Sequence, residues 1–531
     1  MGKRIGNSRF LAMSHELALS DTLNTATIKI QGVIMKKPFA VLLSVIIVFA
    51  LTACATAPIA PADDDRIHVT ILHFNDIYEI TPVSGGKEGG IARVATLRKQ
   101  LLARNPNTIT TLGGDLFSPS AIGTAQYEGD RLAGRQMVDV LNHFELDYAT
   151  FGNHEFDVKE NQFNQRMKEA KFTWVSSNVF AADGQPYAGV KQNLVIPVTD
   201  KKSGKTFRIG MFGLTLAANN PGYVRYSDPI AATSEQIKKL SGQADFVIAL
   251  THQAIDDDIE LLPKFPQIGL LLGGHEHVNY QNWRGNFTPL LKGDANVRSV
   301  YVIDLYFDPQ TGKTQVKPEF VQINDTLTED PAVKTVVDKW MKIAFDAFRQ
   351  QGFEPEAVVT TTTEALDGLE SNVRTRKTNL TELIAKSLLR PYPEAELSLY
   401  NSGSIRIDDV LPAGQITVYD VIRVLPFGGK VQLASIKGSL LLKTLNQGIA
   451  NTGAGGFLQS ANTQQVNGAW QINGKPLDTQ KTYKLAINDF LASGKDHGLD
   501  YLKPGNPDFV IVNPGDNYDI RQVVIDQLKN N

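Results

Sequence analysis

FGNHEFD (residues 151–157) begins on the last residue of a short apolar run, YATF (148–151), and so sets Asn153, His154 and Asp157 at the end of a strand. Where strands alternate with helices, such ends are where function is placed. Four more stretches repeat the arrangement. FNDIYEI (74–80) closes the run IHVTIL (67–72), and GGDLFSP (113–119) follows TITTL (108–112). LTHQ (250–253) closes DFVIAL (245–250), and GGHEH (273–277) follows IGLLL (268–272). Together they offer Asp76, Asp115, Asn153, His154, His252, His275 and His277. Carboxylates and imidazoles suit a divalent metal, and Asn153 can give a carbonyl oxygen. Alone, each stretch is weak. A single His after a strand is more often structural, GGD can be only a turn, and GHxH occurs by chance, although its two imidazoles share one face of an extended segment. Four of the nine histidines fall in these stretches, and their shared context argues against coincidence.

Outward from them, residues 66–325 alternate apolar runs, FRIGMFGL (207–214) among them, with helical patterns such as IARVATLRKQLLARN (91–105) and RLAGRQMVDVLNHF (131–144). That alternation predicts α/β layers. VRSVYVIDLYFD (297–308) reads as a longer alternating strand. PAVKTVVDKWMKIAFDAFRQQ (331–351) is amphipathic and predicts a linker helix within 326–354. Residues 355–531 form a second unit with its own apolar runs and Gly-rich loops. A chain of 531 residues, 42% hydrophobic and 21% charged, is too long for one core. A net charge of -3 gives no basic excess to argue for nucleic acid.

GNHEFD with GHEH resembles the calcineurin-like metallophosphoesterases, and within them the two-domain 5′-nucleotidase family of periplasmic UDP-sugar hydrolases and ecto-5′-nucleotidases. The resemblance covers nearly all of the chain after residue 65. It implies a four-layer α-β-β-α metallophosphoesterase domain joined by a linker helix to a C-terminal α+β 5′-nucleotidase domain. It also implies two divalent metal ions of the Zn, Mn, Co or Mg type at the strand ends. Asp115 would bridge them; Asn153, His252 and His275 would complete one site, and Asp76 and His277 would belong to the other. His154 would approach the phosphate with Asp157 orienting it. In the second domain, Arg374 precedes Thr378-Asn379 as in the family's VR…TN motif, and Arg406 ends NSGSIR (401–406), where the family binds phosphate. Phe427 in LPFGG and Phe490 in NDFLASGKD match the phenylalanines that sandwich the base, and Asp496 matches an Asp near the ribose. An Arg fork suits phosphate, and aromatic stacking gives base affinity with little discrimination.

The family's first motif is Asp-x-His, whereas this chain has Asp76-Ile77-Tyr78. Three outcomes are open for Tyr78: ligation as phenolate, which favours a harder metal; replacement by water or Glu79; or an empty site. An occupied two-metal centre with altered metal preference is expected. Gly429 replaces an Asn, Glu370 stands where some members carry a second phosphate arginine that Arg376 would replace, and GKDHG (494–498) replaces Gly-Gly-Asp-Gly.

Cys54 is the only cysteine, so the chain forms no internal disulfide. Met35-Lys36-Lys37, the apolar FAVLLSVIIVFAL (39–51) and Leu51-Thr52-Ala53-Cys54 resemble a bacterial lipoprotein signal, with Cys54 acylated. Residues 1–34 read as a mis-called start, 35–54 as the signal, and 55–65 as a Pro- and Asp-rich tether. The expectation is a monomeric phosphohydrolase, lipid-anchored to a bacterial membrane in the periplasm or at the outer membrane. It would attack nucleoside 5′-monophosphates with a metal-activated hydroxide, and cleave UDP-sugars or other nucleotide anhydrides. The alternatives are a 2′,3′-cyclic nucleotide phosphodiesterase with 3′-nucleotidase activity, a thiosulfate-ester hydrolase, and a catalytically impaired nucleotide-binding lipoprotein.

Overall fold

The computed structural model describes residues 65–285 and 287–530. The start, signal and Cys54 expectations, and all of the tether but Asp65, lie outside them. Among the described residues no helix is long and apolar enough to cross a membrane.

Two six-stranded sheets form the first domain. One runs, in spatial order, Lys313–Gln322, Ser299–Asp308, Ile67–Phe74, Thr108–Leu112, Tyr148–Ala149 and Thr173–Trp174. The other runs Tyr280–Arg284, Thr288–Lys292, Ile268–Gly273, Phe246–His252, Thr206–Thr215 and Asn193–Thr199. Strands at the centre of each are parallel; antiparallel strands close both edges of the second sheet and one edge of the first, whose other edge strand, Thr173–Trp174, pairs in parallel. Alternate residues of the first strand serve different layers. Ile67, Val69 and Ile71 pack between the sheets with Ile209, Met211, Leu250 and Leu272. Leu72 and Phe74 face outward onto the helices Ile91–Arg104 and Arg135–Phe144. The second sheet is covered by Pro229–Leu240 and Ile255–Lys264. This is the expected four-layer α-β-β-α order, set by a period-2 pattern with both sheet faces apolar.

One expected helix starts late. The pattern at 131–144 becomes helical only at Arg135, because Ala133 and Gly134 hold φ 42° and 83°, a left-handed turn incompatible with an ongoing helix. The helix Pro331–Gln350 lies where the amphipathic pattern placed it, with Pro331 at its first turn and Asp330 as its cap. Its first half packs on the first domain, where Trp340 Nε1 donates to Asp139 at 2.8 Å. Its second half meets the other domain, with Phe345 and Tyr419 ring centroids 4.8 Å apart. The Asp330 side chain accepts from Val333 N–H at 3.2 Å and pairs with Lys99. Burial works against this charge, but Lys99 and the helix N–H outweigh it and hold the carboxyl below its ordinary value. A depressed carboxyl stabilises the fold above its unfolded pKa, and that contribution is lost as pH falls through the folded value. Asp330→Ala is therefore expected to cost about 1 kcal/mol at pH 7. Urea midpoints of the two proteins should converge towards pH 3.

The second domain is built on a five-stranded sheet in the order Leu458–Ala461, Leu397–Asn401, Thr482–Asn488, Val431–Lys437 and Phe509–Asn513. Gly438–Ala450 covers one face. Asn379–Leu388 and Ile520–Leu528 cover the other, continuing the core that the linker helix starts.

Candidate metal centre and substrate cleft

Asp76, Asp115, Asn153, His252, His275 and His277 all follow or end parallel strands at one edge of the two sheets. Four of them are forced into left-handed backbone: Asp76 (φ 51°), Asp115 (φ 62°), His275 (φ 94°) and His277 (φ 60°). Non-glycine residues adopt this at a cost, and such strain clusters at functional sites. Glycines let the loops close. A Cβ on Gly152 would lie 2.0 Å from Asp115 Oδ1, and one on Gly274 would lie 2.4 Å from the Gly113 carbonyl.

The donors converge. Ligand atoms of Asp76, Asp115 and His252 lie within 4.8 Å of one another, all buried. His252 Nδ1 donates to the Gly113 carbonyl at 2.7 Å, which turns Nε2 towards Asn153 Oδ1 (3.2 Å) and Asp115 Oδ2 (3.4 Å). The His275 ring lies 5.3 Å from that of His252, centroid to centroid. Asp76 Oδ2 accepts from Asn75 Nδ2 at 2.6 Å and from His275 N–H at 2.8 Å, while Oδ1 faces His277 Nε2 at 3.6 Å. Burial alone would lower His252, yet the Asp115 and Asp76 charges raise it to about 9. His275, buried beside His252, falls to about 4. Two buried carboxylates facing imidazoles and an amide oxygen are a donor set that fits divalent cations.

Tyr78 does not pack away from this set. Its hydroxyl donates to Asp115 Oδ2 at 2.8 Å, and lies 2.8 Å from His277 Nε2 and 3.2 Å from Asp76 Oδ1. Burial first, then the charges of Asp115 and Asp76, push the phenol well above its ordinary pKa.

His154 Nδ1 meets Asp157 Oδ2 at 2.5 Å, and its Nε2 lies 3.4 Å from an Nη of Arg406. The two domains therefore meet at this point, with Arg406 brought to the centre rather than held apart from it. Arg374 is paired to Glu370 at 2.6 Å. Arg376 is instead turned to Asp367 at 3.5 Å, its side chain largely exposed. Arg406 Nε and Asp496 Oδ2 are buried with no hydrogen-bond partner among the described residues. Phe427 and Phe490 stay 48% and 45% exposed, although large apolar residues normally bury. Val431 pairs with Asn488, and a Cβ on Gly429 would lie 2.6 Å from Asp489 Oδ1, so both phenylalanines sit on adjoining turns.

Other residues were not visible as functional in the sequence. Glu155, inside FGNHEFD, accepts backbone N–H groups of Asp115, Leu116, Phe117 and Gly152 at 2.5–3.2 Å, tying two ligand loops together. Asn219 Nδ2 holds Asp157 Oδ1 at 2.5 Å. Asp408 reaches His277 from the second domain at 2.9 Å.

Residues 69–279 match the family described as calcineurin-like phosphoesterase, and residues 358–503 match the 5′-nucleotidase C-terminal domain. The snake venom 5′-nucleotidase of Naja atra is 26% identical over 498 residues, spanning 81% of this chain and 90% of its own. Protein UshA of Yersinia enterocolitica is 26% identical over 504 residues, spanning 82% and 86%. The crystal structure of a 5′-nucleotidase precursor from Thermus thermophilus superposes with a TM-score of 0.71 at 24% identity, covering 87% of this chain and 96% of that one.

Proposed function

The chain belongs to the calcineurin-like phosphoesterases that carry a 5′-nucleotidase C-terminal domain, and on that premise we propose that it releases inorganic phosphate from nucleoside 5′-monophosphates in the cleft between its two domains. It is a hydrolase of the 5′-nucleotidase type, in a family that uses divalent metal ions. The observation that carries the finer reading is the approach of Arg406 Nη to His154 Nε2 at 3.4 Å. It sets a phosphate-binding group of one domain against the donor cluster of the other.

Asp115, Asn153, His252 and His275 would hold one cation; Asp76, Asp115 and His277, with the Tyr78 hydroxyl in reach, would hold a second. Bound there, such cations supply Lewis-acid charge and a more acidic water. The protein's own groups do the rest. Arg406, with an unpartnered Nε, offers its fork to the phosphoryl oxygens. Asp157 accepts from His154 Nδ1–H and so points Nε2 into the cleft, where the imidazolium form can pass its Nε2 proton to the departing oxygen and is left neutral. Phe427 and Phe490 present faces for the base, and the unpartnered Asp496 oxygen can accept from a ribose hydroxyl. Phe427→Ala and Phe490→Ala are each expected to raise KM for AMP roughly 5- to 150-fold, the equivalent of about 1–3 kcal/mol of stacking, with kcat little changed.

The same site would cleave nucleotide anhydrides such as UDP-sugars, whose phosphoryl group meets the same arginine. A lipid on Cys54, supported by the basic start, apolar segment and Leu-Thr-Ala-Cys sequence before it, would hold the enzyme outside the cytoplasm at a membrane surface. Tyr78 alone favours a second reading, a nucleotide-binding lipoprotein without turnover.

Phosphate release from AMP by the metal-stripped chain, with Zn, Mn, Co or Mg restored one at a time, separates the two. Turnover that requires a metal and collapses in Asn153→Ala is expected, and Tyr78→His should change which metal supports it. Silence of the parent with every metal, alongside activity in Tyr78→His, would replace the hydrolase with the binding protein.

A further inference from the structure

Asp408 belongs to the C-terminal domain, two residues after Arg406, yet its carboxylate serves the catalytic domain. Oδ2 lies 2.9 Å from His277 Nδ1, and Oδ1 accepts Glu370 N–H at 2.7 Å. Its backbone carbonyl accepts from the guanidinium of Arg298, again on the catalytic domain. Asp408 is 8% exposed and holds φ 38°, a strained backbone for a residue with a side chain. Its neighbour Asp409 makes a separate bridge, accepting Ser84 N–H at 2.8 Å and the Ser84 hydroxyl at 2.9 Å.

We infer that Asp408 is a positioning residue for His277: a carboxylate from one domain fixes a metal-facing imidazole of the other, so that cation binding and domain packing strengthen each other. The inference rests on the reading of His277 as a ligand. An imidazole that binds a cation through one nitrogen needs its other N–H held, or the ring turns. His277 Nε2 faces Tyr78 and Asp76, which leaves Nδ1 for the outer partner. His252 finds that partner within its own domain, in the Gly113 carbonyl. For His277, the partner among the described residues is Asp408, 131 residues away. The two imidazoles are thus anchored differently, one locally and one across the domain boundary. Linkage makes the effect reciprocal: whatever Asp408 adds to cation affinity, the cation adds to this domain arrangement.

Calorimetric titration of the metal-stripped full chain with Mn²⁺ and with Zn²⁺ tests this. It compares the parent with His277→Ala, Asp408→Ala, Asp408→Asn and Ser84→Ala. His277→Ala should lose tight binding of one equivalent. Asp408→Ala should weaken that same equivalent about 10- to 100-fold and spare the other. Asp408→Asn, whose amide oxygen still accepts Nδ1–H, should recover most of the loss and guards against a folding artefact. Ser84→Ala, which loosens the domain contact without touching His277, should change affinity far less. Hydrogen exchange across 405–411 should slow when Mn²⁺ is added to the parent and not when it is added to His277→Ala. If Asp408→Ala binds like the parent while His277→Ala does not, the positioning role is overturned and the ligand reading survives. If His277→Ala binds both equivalents like the parent, both fall together. A loss of equal size in Ser84→Ala and Asp408→Ala would mean packing alone and would also overturn the inference.

Discussion

Replacing His154 by alanine is expected to slow phosphate release from AMP about 10²- to 10⁴-fold, with cation content and thermal stability near those of the parent. His154 touches the cleft through its side chain, whereas its bond to Asp115 Oδ1, at 2.8 Å, is made by the backbone N–H and survives the substitution. The loss should therefore fall on kcat and leave the donor cluster assembled. Asp157→Asn should lose less, about 10- to 100-fold, because the ring stays in place but its Nδ1 partner becomes a weaker acceptor. Burst-free kinetics with AMP, beside metal analysis of each variant, would check this. A His154→Ala kcat within about threefold of the parent would remove this residue from the chemistry.

The second large effect concerns stability. Lys292 is fully buried at the end of Thr288–Lys292, and Nζ donates to the Gln253 carbonyl at 2.7 Å, Glu276 Oε2 at 2.6 Å and Asp258 Oδ2 at 2.9 Å. Gln253 adjoins His252, and Glu276 lies between His275 and His277, so one ammonium ties together the two loops that carry these histidines. Burial opposes the charge, but Asp258 and Glu276 more than compensate and raise its pKa. Lys292→Met keeps the volume and deletes the charge, stranding the fully buried Asp258 carboxylate and leaving the partly exposed Glu276 unpaired. A cost of about 3–5 kcal/mol is expected. The double variant Lys292→Met/Glu276→Gln should recover part of it, since one unpaired charge is gone. Urea unfolding of the three proteins would measure both. A single-variant loss under about 1 kcal/mol would mean that water reaches the site after all.

The layers were legible because most central strands are largely apolar runs, broken only by Thr or His in the first sheet. Burial on both faces makes such runs readable, as IGLLL and FVIAL show, and the candidate ligands sit at strand ends. Residue type and local position were enough to single out Asp76, Asp115 and His252, which the fold then brings within reach of one another. The supporting groups had no such signal. Lys292 ends an apolar strand and reads as an ordinary surface lysine. Asp408 acts on a partner in another domain, and no local period records that. Glu155 was in plain view within FGNHEFD, but residue type does not reveal that a carboxylate will accept four backbone N–H groups. Arg376 was ambiguous in another way. Its type suited phosphate, and only the ion pair with Asp367 shows where it goes.

The left-handed turns at Asp76, Asp115, His275 and His277 have a consequence for how this protein can drift over generations. Glycine is the residue such a turn prefers, so at these codons the change that relaxes the chain is also the change that removes a donor. Robustness and activity pull apart there. A lineage released from selection for catalysis would be expected to gain ruggedness by discarding these side chains first.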